Sequence, residues 1–108
     1  MNNLKYRRQF LLTPMASDLL DNWNIEMIDK HYLYLHPDLQ FEKSSGYFDL
    51  YVLGFFFNPH TPAKTSKNIL DSMSSLKSID DFPKALSRLV GRYVLIIKTK
   101  NDFVFFHE

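Results

Sequence analysis

The sequence predicts an α+β domain, with a mainly antiparallel sheet of five to six strands and two helices on one face. Apolar residues alternate with a period of two over the first half of the chain. Between residues 65 and 89 the period changes to about 3.6, and near the end of the chain it returns to two. Strands in hairpin order, rather than strands alternating with helices, favour an antiparallel sheet.

Composition favours one compact domain over residues 1–108. The chain is 45% apolar, 16% aromatic and 23% charged, which excludes a disordered or collagen-like protein. It contains no cysteine, so a disulfide framework, a thiolate nucleophile and a cysteine-based zinc site are all excluded. A net charge of +1 makes no case for nucleic acid or an anionic membrane, and no segment reaches the length of a membrane span. We therefore expect a cytoplasmic protein with no cofactor, no metal, no nucleic acid and no membrane among its partners.

The first half of the chain is predicted to be strands and turns. Lys5–Leu12 alternates loosely and precedes Pro14, which favours an edge strand. Asn22–His36 predicts two short strands joined by a turn at residues 29–31. The composition of Glu42–Gly46 indicates a loop.

Tyr47–Phe57 is the most apolar segment and carries apolar side chains on both faces. A strand of this kind is typically central in its sheet, with both faces covered. This segment therefore predicts the middle of the sheet.

Two helices are predicted after the loop that contains Pro59 and Pro62. Thr65 is the expected N-cap of the first, whose apolar stripe consists of Ile69, Leu70, Met73 and Leu76. Asp80 is the expected N-cap of the second, with Pro83 in its first turn and Gly91 as its C-terminal cap. The second stripe consists of Phe82, Ala85, Leu86 and Leu89. Arg92–Thr99 and Phe103–His107, separated by the turn at residues 100–102, predict a closing β-hairpin.

Three segments resemble the N-terminal glutaminase-like domain of asparagine synthetase-related proteins, which is of the Ntn-hydrolase, class II glutamine amidotransferase type. Tyr51–His60 is similar to that family's strand containing Asn-Gly-Glu-Ile-Tyr-Asn-His. Thr65–Leu70 resembles its Thr-Asp-Ser-Glu-Val-Ile-Leu helix start, and Leu89–Leu95, running on to Glu108, resembles its closing hairpin. The resemblance covers Gly46–Glu108 and implies half of an αββα sandwich.

The chemistry that the resemblance implies is incomplete in this chain. Family enzymes use an N-terminal cysteine nucleophile, whereas this chain begins Met1-Asn2-Asn3 and has no cysteine. The family's oxyanion hole combines an Asn side chain with the following Gly amide, and the matching residues here are Leu53 and Gly54. Loss of one such donor costs on the order of 10²–10³ in rate. We therefore predict a non-catalytic domain without catalytic residues.

Self-association is the predicted mode of action. Two helices cover one face of a sheet, so the other face is expected to present aromatic residues to water. A two-fold homodimer that stacks sheet on sheet would bury that face. The predicted interface residues are Phe48, Phe55, Phe56, Phe57, Phe103, Phe105 and Phe106.

Two other interpretations stay open at this point. One is an enzyme or small-ligand-binding protein whose pocket forms at a dimer interface and uses Arg92 and His60. The other is a fragment whose missing second half would complete the sandwich within one chain.

Overall fold

The computed structural model describes residues 10–16 and 22–108. The chain divides into two compact units, Met1–Leu39 and Gln40–Glu108. The described part confirms the α+β class, with two α-helices and antiparallel strands. The single sheet of five to six strands was wrong, because the strands form two separate sheets.

The first unit contains a three-stranded antiparallel sheet. Its strands are β1 (Phe10–Thr13), β2 (Asn24–Ile28) and β3 (His31–Leu35), in the order β1-β3-β2. The two short strands predicted within residues 22–36 are confirmed, and their turn includes Asp29 at a φ of 56°, a left-handed conformation that Asp tolerates better than most residues. The strand predicted from Lys5 is present from Phe10, and residues 5–9 lie outside the described part.

The second unit contains a four-stranded antiparallel sheet. Its strands are β4 (Phe41–Ser45), β5 (Asp49–Phe57), β6 (Val90–Lys98) and β7 (Phe103–His107), in that spatial order. The central position of the aromatic strand is confirmed, since β5 pairs with both β4 and β6. The closing hairpin is also confirmed, with Thr99 N–H donating to the Asp102 carbonyl at 2.9 Å across its turn.

The loop predicted over Glu42–Gly46 was wrong, because β4 occupies most of it. The polar residues of β4 are compatible with a strand since they lie at a sheet edge, where one side of the backbone needs no second strand. Pairing with β5 gives β4 its backbone hydrogen bonds, and the composition of the segment does not reveal this pairing. Turn composition therefore misidentified an edge strand.

The first helix, α1, spans Ser66–Met73 and begins as predicted at the N-cap Thr65. Thr65 Oγ1 accepts from Asn68 N–H at 3.1 Å, and Asn68 Oδ1 accepts from Thr65 N–H at 3.1 Å, which completes a capping box. Its side chains Ile69, Leu70 and Met73 are buried, as the stripe predicted.

The second helix is shorter than predicted. A 3₁₀ turn over Ile79–Asp81 precedes α2, which spans only Phe82–Leu86, and the Ser78 hydroxyl accepts from Asp80 N–H. The assignment of Gly91 as a helix C-cap was wrong, because Gly91 lies within β6. Its φ of 142° occurs where β5 and β6 approach each other closely and does not mark the end of a helix.

Both helices pack on one face of the four-stranded sheet, as predicted. We call this the helix face. Alternate residues of β5 and β6, together with the buried residues of both helices, form one cluster: Leu50, Val52, Phe56, Ile69, Leu70, Met73, Phe82, Leu86, Tyr93, Leu95 and Ile97. The other face of this sheet, which we call the opposite face, carries the remaining alternate residues.

Candidate functional site

Exposed apolar side chains lie at one end of the opposite face. Phe55 and Phe57 of β5 are 40% and 39% exposed, and Val90 of β6 is 44% exposed. In the register of the two strands Phe57 pairs with Val90, and Phe55 pairs with Arg92. We call these four residues the aromatic–arginine patch. Aromatic and arginine side chains are enriched in protein interfaces, so this composition is typical of a contact surface.

Two glycines determine the backbone beneath the patch. Gly54 and Gly91 have φ values of 97° and 142°, which residues with a side chain rarely adopt. A Cβ at Gly91 would collide with the Phe55 carbonyl oxygen, and a Cβ at Gly54 would collide with the Arg92 carbonyl oxygen. The Phe55–Arg92 pair is therefore held between two glycines that allow the strands to approach closely.

The charge of the Glu108 carboxylate interacts with that of Arg92, a residue of the patch. Glu108 Oε1 accepts from Tyr93 N–H at 2.7 Å, and this hydrogen bond is the main reason that the pKa of Glu108 lies below its usual value. The positive charges of Arg92 and His107 lower the same pKa further. Burial, and then the Glu108 charge, raise the pKa of Tyr93. The Glu108 carboxylate, whose charge interacts with that of Arg92, is thus already hydrogen-bonded to the backbone.

The predicted interface residues divide between the two faces. Phe55, Phe57 and Phe105 are exposed, with Phe105 at 48%. Phe56 is 1% exposed and lies in the core on the helix face, so it cannot contribute to an interface.

Phe48 and Phe106 also belong to the helix side, because both are partly buried against the core. Their rings lie 6.1 Å and 6.4 Å from the ring of Phe82. Phe103 is half-buried, with Lys98 Nζ 5.5 Å from its ring centroid. The position of each phenylalanine along its strand decides which face it reaches, because the side chains of neighbouring residues point to opposite faces of the sheet.

The opposite face is less open than the sequence suggested. Tyr51, Leu53 and Ile96 lie near its middle and are 8%, 2% and 0% exposed. Val90, which the sequence placed at the end of a helix, instead contributes to the exposed end. No alternation in the sequence identifies Val90 as part of the strand, because Gly91 and Arg92 follow it and the apolar residues 93–97 form a continuous run.

The alternative pocket of Arg92 and His60 is not assembled within this chain. Arg92 lies on the opposite face, whereas His60 lies in the exposed loop after β5, where its N–H donates to Asn58 Oδ1 at 2.9 Å. Among residues 10–16 and 22–108, no hydrogen bond or ion pair joins the two side chains. The same part of the chain contains no group of three or more histidine, aspartate or glutamate side chains placed to hold a metal ion.

The position that the resemblance relates to an oxyanion hole offers no free donor. Leu53 is buried and apolar. Gly54 N–H, the remaining backbone donor, donates to the Gln40 carbonyl at 2.8 Å. An oxyanion at this position would have to displace that hydrogen bond, so the backbone here is structural.

A polar network joins α1 to the edge strand β4. Ser44 Oγ donates to Asp71 Oδ1 at 2.7 Å, and Lys67 Nζ lies 3.1 Å from the same oxygen. Lys67 Nζ also donates to the Lys43 carbonyl. The Ser44 hydrogen bond, followed by Lys67, lowers the pKa of Asp71. All of these side chains are accessible to water and bind one another, which suits a structural link between helix and strand.

Comparisons with known proteins found no match to this chain among protein-family models, curated proteins or solved structures. None of the helices in the described residues has the length and apolar character needed to span a membrane.

Proposed function

We propose that this chain is a non-catalytic domain that acts through protein–protein contact, beginning with self-association. The observation that carries the proposal is the exposure of four large apolar side chains on the opposite face of one sheet: Phe55, Phe57, Val90 and Phe105. Each is between 39% and 48% exposed. Covering such side chains with a second protein surface removes them from water, at roughly 25 cal/mol for each Å² of apolar area.

Backbone rigidity supports this proposal. The Phe55–Arg92 pair lies on two paired strands, which Gly54 and Gly91 allow to approach closely. The backbone beneath these side chains is therefore already in place before a partner binds. A surface that is already ordered loses less conformational entropy when it binds. A contact on β5 and β6 therefore needs no rearrangement of the fold.

We include in the same proposal that this chain is related to the glutaminase-like family and has lost the glutaminase activity. The absence of cysteine, the buried Leu53 and the engaged amide of Gly54 all agree with a domain that does not hydrolyse glutamine. A glutaminase activity that one substitution abolishes would contradict it.

Sedimentation of the full chain tests self-association. We expect the sedimentation coefficient to rise from the monomer value between low and high micromolar protein. The double variant Phe57→Lys/Phe105→Lys should remain monomeric over the same range, because each lysine places a charge on an exposed apolar site. Met15→Lys is the matched control, since Met15 is exposed but belongs to the first unit. A wild-type monomer at every concentration would overturn the proposal.

A further inference from the structure

We propose that two copies of this chain associate face to face through the aromatic–arginine patch, so that Phe55 of each copy packs against Arg92 of the other. The two-fold axis would run along the strands, midway between β5 and β6. This inference rests on the proposed self-association and specifies which residues meet across it.

The opposite face is accessible at the patch and closed near its middle. Tyr51, Leu53 and Ile96 are at most 8% exposed. The three apolar residues of the patch are 39–44% exposed, and Arg92 is also exposed. A second copy that covers the apolar side chains of β5 and β6 must therefore bind at this end of the face.

The four residues of the patch form two rows across β5 and β6. Phe55 pairs with Arg92 in one row, and Phe57 pairs with Val90 in the other. Residues directly opposite each other in an antiparallel pair project from the same face, with Cβ atoms about 4.5–5.5 Å apart. Each copy thus presents a ring beside a cation, and next to them a ring beside an aliphatic side chain.

A two-fold contact is self-complementary, because a residue that contacts a second residue across the axis is matched by the reverse contact. With the axis along the strands, β5 of each copy lies over β6 of the other. Phe55 then faces Arg92 of the second copy, and Phe57 faces Val90 of the second copy. The strands of the two sheets remain aligned, as they do in most stacked sheets.

The charge of Arg92 favours this axis over the others that centre on the patch. A guanidinium is attracted to the face of an aromatic ring, and the proposed axis provides two such pairs in each dimer. An axis across the strands would place Arg92 over Val90 of the second copy. A diagonal axis through Arg92 would bring the two guanidinium groups together. The other diagonal would pair Arg92 with Phe57 and cross the strands at nearly a right angle.

Glu108 keeps a negative charge near Arg92 when the patch is covered. The two charges interact within one chain, and the hydrogen bond from Tyr93 N–H at 2.7 Å holds the carboxylate in place. A cation that keeps a carboxylate close by costs less to remove from water than an isolated one. Each copy has a net charge of only +1, so long-range repulsion between copies is small.

Complementation between two variants tests the pairing. Arg92→Glu places an anion against the Phe55 ring, and Phe55→Lys places a cation against Arg92, so each variant alone should be a monomer at concentrations where the wild type is a dimer. In a 1:1 mixture, the lysine of one chain faces the glutamate of the other, and the unchanged Arg92 faces the unchanged Phe55. We therefore expect the mixture to sediment as a heterodimer.

Phe57→Lys mixed with Arg92→Glu is the matched control, because Phe57 has almost the same exposure as Phe55 and lies on the same strand. In the proposed arrangement its lysine faces Val90, so this mixture should stay monomeric. A heterodimer in this mixture and not in the first would show that Arg92 faces Phe57 and would overturn the proposed axis. If the wild type self-associates and neither mixture recovers the dimer, the pairing is wrong and the proposed self-association stands. If the wild type is a monomer throughout, both proposals fail.

A neutral substitution gives an independent measurement. Arg92→Gln removes the cation from both pairs of the dimer and should raise the dissociation constant at least about tenfold. Lys84→Gln removes the same charge from an exposed residue of α2 and should leave the constant unchanged. Far-UV circular dichroism confirms that each variant is folded. A dissociation constant for Arg92→Gln equal to that of the wild type would overturn the proposed pairing.

Discussion

Gly54 and Gly91 show how single residues position a surface. They lie on neighbouring strands, on either side of the Phe55–Arg92 pair, and both have positive φ values. At each of them a carbonyl oxygen of the adjacent strand occupies the place of a side chain. The distance between β5 and β6 at the patch therefore depends on the absence of two Cβ atoms.

Gly91→Ala should lower the free energy of unfolding by more than about 2 kcal/mol. The positive φ alone costs roughly 1–2 kcal/mol for a residue with a side chain, and the collision with the Phe55 carbonyl adds to it. Urea unfolding at neutral pH measures the change. The neighbouring variant Val90→Ala should change stability by less than about 1 kcal/mol, because Val90 is exposed. Equal losses in the two variants would contradict this explanation.

The Asp71 carboxylate helps to stabilise the contact between α1 and β4. Its pKa lies below the ordinary value of 3.8 because Ser44 donates to the carboxylate and Lys67 lies beside it. A carboxylate with a lowered pKa stabilises the fold above the pKa of the unfolded chain. That stabilisation disappears as the pH falls from about 3.8 through the folded-state pKa.

Ser44→Ala should raise the pKa of Asp71 towards its ordinary value, because the largest contribution to the lowering is lost. An NMR titration of the Asp71 side-chain carbon measures this pKa directly. Ser75→Ala is the control, since its hydroxyl donates to the Ser72 carbonyl and does not bind Asp71. An Asp71 pKa that is equal in Ser44→Ala and in the wild type would rule out the hydrogen bond as its main cause.

At the scale of the elements, α1 completes a strand that lacks a partner. Beyond the end of β4, the backbone of Phe56 has no neighbouring strand on the β4 side. Ser66 Oγ accepts from Phe56 N–H at 3.1 Å and donates to the Phe56 carbonyl at 3.0 Å. One hydroxyl at the start of the helix thus satisfies both backbone groups that a strand would otherwise bind.

Ser66→Ala should lower the free energy of unfolding by about 1–3 kcal/mol, since it leaves two partly buried backbone groups unpaired. Ser66→Thr keeps the hydroxyl and should recover most of this loss. Ser72→Ala is a matched control within the same helix, because its hydroxyl is exposed and bonds only to the Asn68 carbonyl. Its effect in urea unfolding should be below about 0.5 kcal/mol. Similar losses at Ser66 and Ser72 would argue against the bridging role.

The elements with strong local signals were predicted well. The capping residue Thr65 and the stripe of α1 define a helix in any context, and the turn residues 100–102 define the closing hairpin. In contrast, β4 is polar and forms because β5 offers it a partner, and α2 is short because it ends at Leu86 and the chain enters β6 at Val90. Pairing and packing decide such elements, and neither is visible in a local window.

At the scale of the whole molecule, the two faces of the four-stranded sheet contribute differently to stability. Phe82 is fully buried, and the ring centroids of Phe48 and Phe106 lie 6.1 Å and 6.4 Å from its own. Phe57, on the opposite face, is 39% exposed. Stability should therefore depend more on the helix face than on the exposed end of the opposite face.

Phe82→Ala should lower the free energy of unfolding by about 3–5 kcal/mol, because it leaves a cavity in the core. Phe57→Ala should cost less than about 1.5 kcal/mol, since its side chain is partly in water already. Calorimetric or urea unfolding of the two variants checks the difference. A cost at Phe57 as large as that at Phe82 would mean that the patch belongs to the core.

The sequence by itself determined the α+β class, the central aromatic strand, the capped first helix and the closing hairpin, because periodicity, caps and turns act over a few neighbouring residues. It also determined that no cysteine chemistry is present. Only the tertiary structure decided that the strands form two sheets, that β4 is an edge strand, and which phenylalanines reach the surface. The physical reason is register, since a shift of one residue along a strand exchanges the core for the surface, and long-range pairing alone fixes it.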